Sequence, residues 1–267
     1  MRAHRIGAIV VRQLHLLRGS PARLLPLFAW VAVDVILWGF ISKFLDSVSA
    51  AGLDFFALLL GAVLLWDYLA RVMQGVTMAF FEDVWSRNFL NFFATPLTIA
   101  EYVTGLVATS VMTSVIGLTV MVVVARAAFG LSLLVYGPPL AAFLGVLFVF
   151  GIALGILGTA IVLRLGPAAE WLIWPIPALL SPFAGVFYPL STLPSWMQAV
   201  SRILPPSYVF EALRAIAAGR LPSGRDLAIA AVLAVVELAL AAWLFSRVYR
   251  RAVRTGLLAR YSAETAG

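Results

Sequence analysis

Four ionisable residues stand inside long apolar stretches of this chain: Asp34, Asp67, Arg71 and Glu237. On insertion scales an Asp or Arg at the centre of a membrane helix costs about 2.5–3.5 kcal/mol, so each needs a protein-facing or hydrated setting. Residues of this kind serve ion relays, gates and substrate contacts. Asp67 and Arg71 are four apart, share one helical face and can pair. That spacing favours a structural ion pair that fixes helix packing over a gate. Asp34 and Glu237 have no partner nearby in sequence, and structural and functional roles stay open for both, including a place on the water-filled side of a dimer interface.

Other chemistries are excluded by residue type. The chain has no cysteine, which removes disulfides, thiolate metal sites and thiol nucleophiles. Its two histidines, His4 and His15, both precede the first apolar stretch. A P-loop needs a glycine-rich turn closed by Gly-Lys-Ser/Thr, and the single lysine, Lys43, lies between Ser42 and Phe44. No nucleotide site is expected in this chain, and no metal or cofactor of its own. If ATP drives it, the ATP and magnesium belong to another polypeptide.

The elements that must position these charges are membrane helices. Of 267 residues 63% are hydrophobic and 12% charged, roughly half the charged fraction of a soluble domain, and the mean hydropathy is +1.03. Lipid is the natural solvent for that much apolar surface. The net charge of +7 then reads as a topology signal rather than as nucleic-acid binding. Six apolar stretches reach membrane length: Leu24–Phe44, Phe55–Phe81, Tyr102–Phe129, Leu140–Leu163, Trp171–Leu190 and Leu227–Phe245. They are continuously apolar rather than alternating, which disfavours a barrel. With the N-terminus inside, twelve basic residues fall on the cytoplasmic side and six outside, which places both termini in the cytoplasm. The expected fold is an all-α integral membrane protein of about six transmembrane helices, a single domain over 1–267.

Three connections stand out. Residues 1–23 form a basic amphipathic helix suited to the inner membrane face, with Ile6, Ile9, Val10, Leu14 and Leu17 at helical spacing between arginines and histidines. Residues 82–101, EDVWSRNFLNFFATPLTIAE, combine charge with Trp85, Phe89, Phe92 and Phe93 on one side, and Pro96 ends or bends that helix. From Pro175 to Pro206 seven prolines prevent one straight helix, while Ser195–Leu204 fits a short helix at the outer face. The eight tryptophans read as interface anchors. Gly151 and Gly155, with Gly145 and Gly158, read as helix packing.

Two stretches carry a family resemblance. AFFEDVWSRNFLNFFATPLTIAEYVTG (Ala79–Gly105) is similar to the coupling segment of ABC-2 type permeases, which include drug, nodulation-factor and polysaccharide exporters. FYPLSTLPSWMQAVSRILPPSYVFEALRAI (Phe187–Ile216) resembles that family's proline-rich outer re-entrant region with its aromatic-Glu-x-x-Arg close. The resemblance covers nearly the whole chain. It implies a homodimeric permease in the plasma membrane, a bacterial inner membrane, with two copies of a separate P-loop ATPase docked beneath. Glu82, Asp83, Arg87, Asn88, Phe89 and Phe92 would meet the ATPase. A re-entrant helical hairpin between helices five and six (187–216) would close the exit, with Tyr188, Pro189, Trp196, Pro205, Tyr208 and Glu211 as gate residues. An amphipathic or glycosylated substrate would leave outward.

The main alternative is an ion-coupled secondary transporter using Asp34, Asp67 and Glu237. It leaves the amphipathic segment after span two unexplained, and no internal repeat supports it. A lipid-processing enzyme would have only Glu211, Asp226, Arg202 and nearby arginines in its outer region, which form no catalytic constellation.

Overall fold

In the computed structural model, residues 2–19, 21–48, 55–85 and 95–255 are described, and among them every regular element is helical. The long helices follow the apolar stretches. They are α1 (Ala3–Arg18), α2 (Pro21–Val48), α3 (Phe55–Trp85), α4 (Ile99–Phe129) and α5 (Pro139–Leu165). After them come the short α6 (Ile176–Ala184), α7 (Ser195–Ser201) and α8 (Pro205–Ala217), and finally α9 (Gly224–Arg254).

Local chemistry sets the ends. Thr98 caps α4: its hydroxyl accepts from the Glu101 amide, and the Glu101 carboxylate returns a bond to the Thr98 amide. Gly130 closes the same helix in the left-handed conformation, at φ +72°. Prolines open α5 and α8, where their missing N–H is no loss.

The bundle is built around α3, which packs on α2 and α4 on one side and on α5 and α8 on the other. It is buried on all faces over its middle, through Leu60, Leu64, Leu65, Leu69, Val72, Met73 and Phe80. Its seam with α5 is made by absent side chains. A Cβ on Gly151 would come within 3.0 Å of the Leu69 carbonyl, and one on Gly155 within 2.9 Å of that of Met73. Gly151, Gly155 and Gly158 are therefore packing residues, as expected, and α3 is the helix they admit, whereas a Cβ on Gly145 would meet open space. At the outer edge α9 lies along α5 and α8, showing the bundle one stripe of small residues.

Four helices among the described residues are long and apolar enough to cross a membrane: Phe56–Val84, Ile99–Phe129, Pro139–Leu165 and Gly224–Arg254. Helix α2 covers the first expected span. The expected fifth span, Trp171–Leu190, is not a single helix. A 3-10 turn (Pro167–Leu172), the nine-residue α6 and a second 3-10 turn (Leu190–Thr192) take its place. Pro175, Pro177, Pro182 and Pro189 deny that stretch the amide donors a continuous helix needs. Apolarity suggested a span there, and the prolines overrode it.

Candidate functional site

Helix α1 lies against α4 and α2. Its apolar side is seated by Ile9, 4% exposed, over Gly105, whose missing side chain leaves room for it. Two clusters of polar contacts then tie α1 to the rest.

The first is at its start. The Arg2 amide donates to Glu101 Oε1 at 2.8 Å, and Arg5 Nη1 lies 3.3 Å from Glu101 Oε2. Arg5 also donates to the carbonyl of Pro96. Glu101 is thus held by its own helix cap and by α1 together. The second cluster lies one helical turn or more along. Arg12 pairs with Asp83 near the end of α3, and the Tyr102 hydroxyl donates to Asp83 Oδ2 at 2.8 Å. Both Asp83 and Tyr102 are fully buried. Beside them the buried Gln13 side chain reaches the Ala79 carbonyl at 3.4 Å.

These contacts fall on either side of residues 86–94. Asp83 stands before that segment, and Pro96, Thr98 and Glu101 stand after it. A single short helix therefore holds both flanks of the stretch expected to couple to a partner. Among the described residues the arrangement consists of ion pairs and hydrogen bonds that join α1 to α3 and α4.

Of the residues expected to meet a partner, Glu82 is half-buried, while Arg87, Asn88, Phe89 and Phe92 lie outside the described residues. Asp83 differs from its expected place: it faces inward, because α1 brings Arg12 to it. Sequence reasoning missed Arg5, Arg12, Glu101 and Tyr102. The Thr98-x-x-Glu101 capping pattern ahead of an apolar run was a readable signal for one of them.

The intramembrane charges are partly brought together. Arg71 Nε lies 2.8 Å from Asp67 Oδ2, the pair the spacing predicts. The Arg71 stem runs over Gly117 of α4. Asp34 on α2 is half-buried and within electrostatic reach of both. Glu237 on α9 stands apart from this group.

At the far end of the bundle the six expected gate residues belong to one knot. Glu211 Oε1 accepts from the Leu190 amide and from Arg214 Nη2, both at 2.9 Å. The Tyr188 hydroxyl donates to the Pro182 carbonyl at 2.9 Å, and that of Tyr208 to the Arg202 carbonyl at 2.8 Å. Trp196 meets Phe183 edge to face, Pro205 is buried in the first turn of α8, and Pro189 starts the turn that Glu211 holds. Phe187 stacks on Trp38, which ties the knot to α2.

The family model for ABC-2 type transporters matches residues 5–217. The chain belongs to the ABC-2 type transporter family. No curated protein matches it. As an ABC-2 membrane subunit it is a permease component, and members of the family normally work with a separate ATPase subunit. Within this ABC-2 chain the match takes in both clusters around α1, apart from Arg2, and the knot at the far end, and it stops at the last residue of α8.

Proposed function

We propose that the chain is the membrane subunit of an ATP-driven exporter. In this reading it works as a homodimer, with two copies of a P-loop ATPase docked against residues 82–101. The ATPase drives an amphipathic or glycosylated substrate outward through the plasma membrane, a bacterial inner membrane. The observation that carries the coupling mechanism is that α1 grips both flanks of 86–94, through Asp83 and through Glu101 and Pro96. With both flanks tied to α1, a push from a partner there is passed into α3 and α4. The excess of basic residues on the α1 side supports cytoplasmic termini. The knot around Glu211 then lies at the exit, where Tyr188, Pro189, Trp196, Pro205 and Tyr208 serve as the gate.

The test is co-purification of the tagged chain, followed by ATPase and transport assays in liposomes. A P-loop subunit in stoichiometric amount, released by Arg87→Glu, is the expected result. A chain that purifies alone and transports under a proton gradient overturns the proposal. That outcome favours the alternative, ion coupling through Asp34, Asp67 and Glu237.

A further inference from the structure

The last turns of α9 carry four arginines: Arg247, Arg250, Arg251 and Arg254. Their spacing of three and four residues places them on one stripe of the helix. At about 100° per residue that stripe spans an arc of about 100°, centred opposite the one formed by Phe245, Val248, Tyr249 and Ala252. The second stripe is the packed one: Phe245 and Ala252 are buried, and Val248 and Tyr249 are half-buried. All four arginines are exposed. Among the described residues none of them pairs with a carboxylate. Arg250 Nε donates to the Ser246 carbonyl at 3.2 Å, and the Arg247 guanidinium lies 4.9 Å from the centre of the Trp243 ring.

The same outward side of α9 continues toward the start of the helix as exposed hydrocarbon: Val232, Val236 and Leu240, then Trp243. Apolar side chains, an aromatic ring and then guanidinium groups repeat the order of acyl chain, interface and headgroup in a bilayer leaflet. Helical rise puts Arg247 about 6 Å beyond Trp243 and Arg254 about 10 Å further. The stripe thus crosses a headgroup layer of about 5–8 Å. The negative end of the helix dipole, about half a charge, is offset by Arg251 or Arg254 alone. Three positive charges are left over, on a face with no described carboxylate to neutralise them.

We propose that this face docks anionic phospholipid, its headgroup on Arg247, Arg250 and Arg251 and its acyl chains along Leu240 and Val236. Guanidinium and phosphate match in charge and in hydrogen-bonding geometry. A basic cluster at the end of a membrane helix attracts headgroups of net negative charge over zwitterionic ones. The surface lies on α9, beyond the residues that the family model matches. The proposal rests on the permease reading only for the setting of α9 in a bilayer, since its test needs neither nucleotide, ATPase nor a direction of transport.

The experiment uses the full chain in nanodiscs of phosphatidylcholine with a minor fraction of phosphatidylglycerol, bromine being carried on the acyl chains of one lipid or the other. The Trp243 signal is the difference in fluorescence quenching between the chain and its Trp243→Phe variant. Phosphatidylglycerol is expected to associate beside Trp243 about tenfold more strongly than phosphatidylcholine. The triple variant Arg250→Gln, Arg251→Gln, Arg254→Gln keeps Arg247 on the reporter ring and should bring that ratio to about twofold. Arg220→Gln with Arg225→Gln, near the opposite end of α9, should leave it unchanged. A ratio of one in the unmodified chain overturns the proposal, whether or not the triple variant folds. So does a preference that survives the triple variant, and so does one lost equally with Arg220 and Arg225, the mark of net charge alone. Displacement by inorganic phosphate beyond that by chloride at matched ionic strength overturns it in favour of a free anion. An ATPase subunit released by the triple variant, with the lipid ratio at one, overturns it in favour of a protein partner. A tenfold preference in a chain that purifies without an ATPase supports the lipid surface while sinking the exporter reading.

Discussion

Two carboxylates on α3 meet arginines in different ways. Asp67 finds Arg71 on its own helix, four residues on, and both side chains keep some exposure. Asp83, near the end of the helix, is fully buried and reaches across to Arg12 on α1 and to Tyr102 on α4. The first pair spares one helix the cost of lone charges, and it survives any movement of that helix as a rigid body. The second pair joins three helices, so no one of them moves without the others. Sequence separation, more than distance in space, decides whether an ion pair neutralises or couples.

The largest expected effect comes from Asp83→Ala, which removes the acceptor shared by Arg12 and Tyr102. Breaking a buried pair costs about 3–5 kcal/mol. The lower end applies here, because Arg12 keeps about a quarter of its exposure. Unfolding in detergent should show this loss, and ATP hydrolysis should continue with transport reduced. Asp67→Ala producing an equal loss would erase the contrast between the two pairs.

Tyr102→Phe comes next, at about 1.5 kcal/mol for a hydrogen bond to a charged group. It sharpens the contrast by leaving the Arg12–Asp83 pair in place, so a matching fall in coupling would assign the linkage to α4 rather than α1. Thr98→Ala should cost about 1 kcal/mol through its helix cap and loosen Glu101 from one side only. The smallest change is expected from the double variant Asp67→Asn with Arg71→Gln, within about 0.5 kcal/mol of the parent in the same unfolding assay. A double-mutant cycle on each pair is the direct check: coupling should be clearly larger for Arg12–Asp83 than for Asp67–Arg71.

Much of this was legible in the residues. The continuously apolar runs located α3, α4, α5 and α9 to within a few residues at most ends, because burial in lipid asks only for length and composition. The ends of α9 were underestimated, since its charged last turns extend beyond the apolar stretch as an amphipathic helix. The Asp67–Arg71 pair followed from helical spacing alone. By contrast, Arg12 and Asp83 lie 71 positions apart, and no periodicity links residues so distant. Asp83 was therefore read as part of a charged surface together with Glu82, when only tertiary contact distinguishes the two. The stretch around α6 misled for another reason: its composition is that of a membrane span, and only its backbone chemistry is not.

The glycine seam between α3 and α5 has a mechanical consequence. With Gly151 and Gly155 letting the two backbones almost touch, there is little compressible side-chain material between the helices, and they behave as a stiff beam. At 31 residues the α3 beam is about 46 Å long, so tilting it by about 5° about one end sweeps the other through roughly 4 Å. A displacement too slight to break the Asp83 anchor would thus be magnified at the opposite end of the helix.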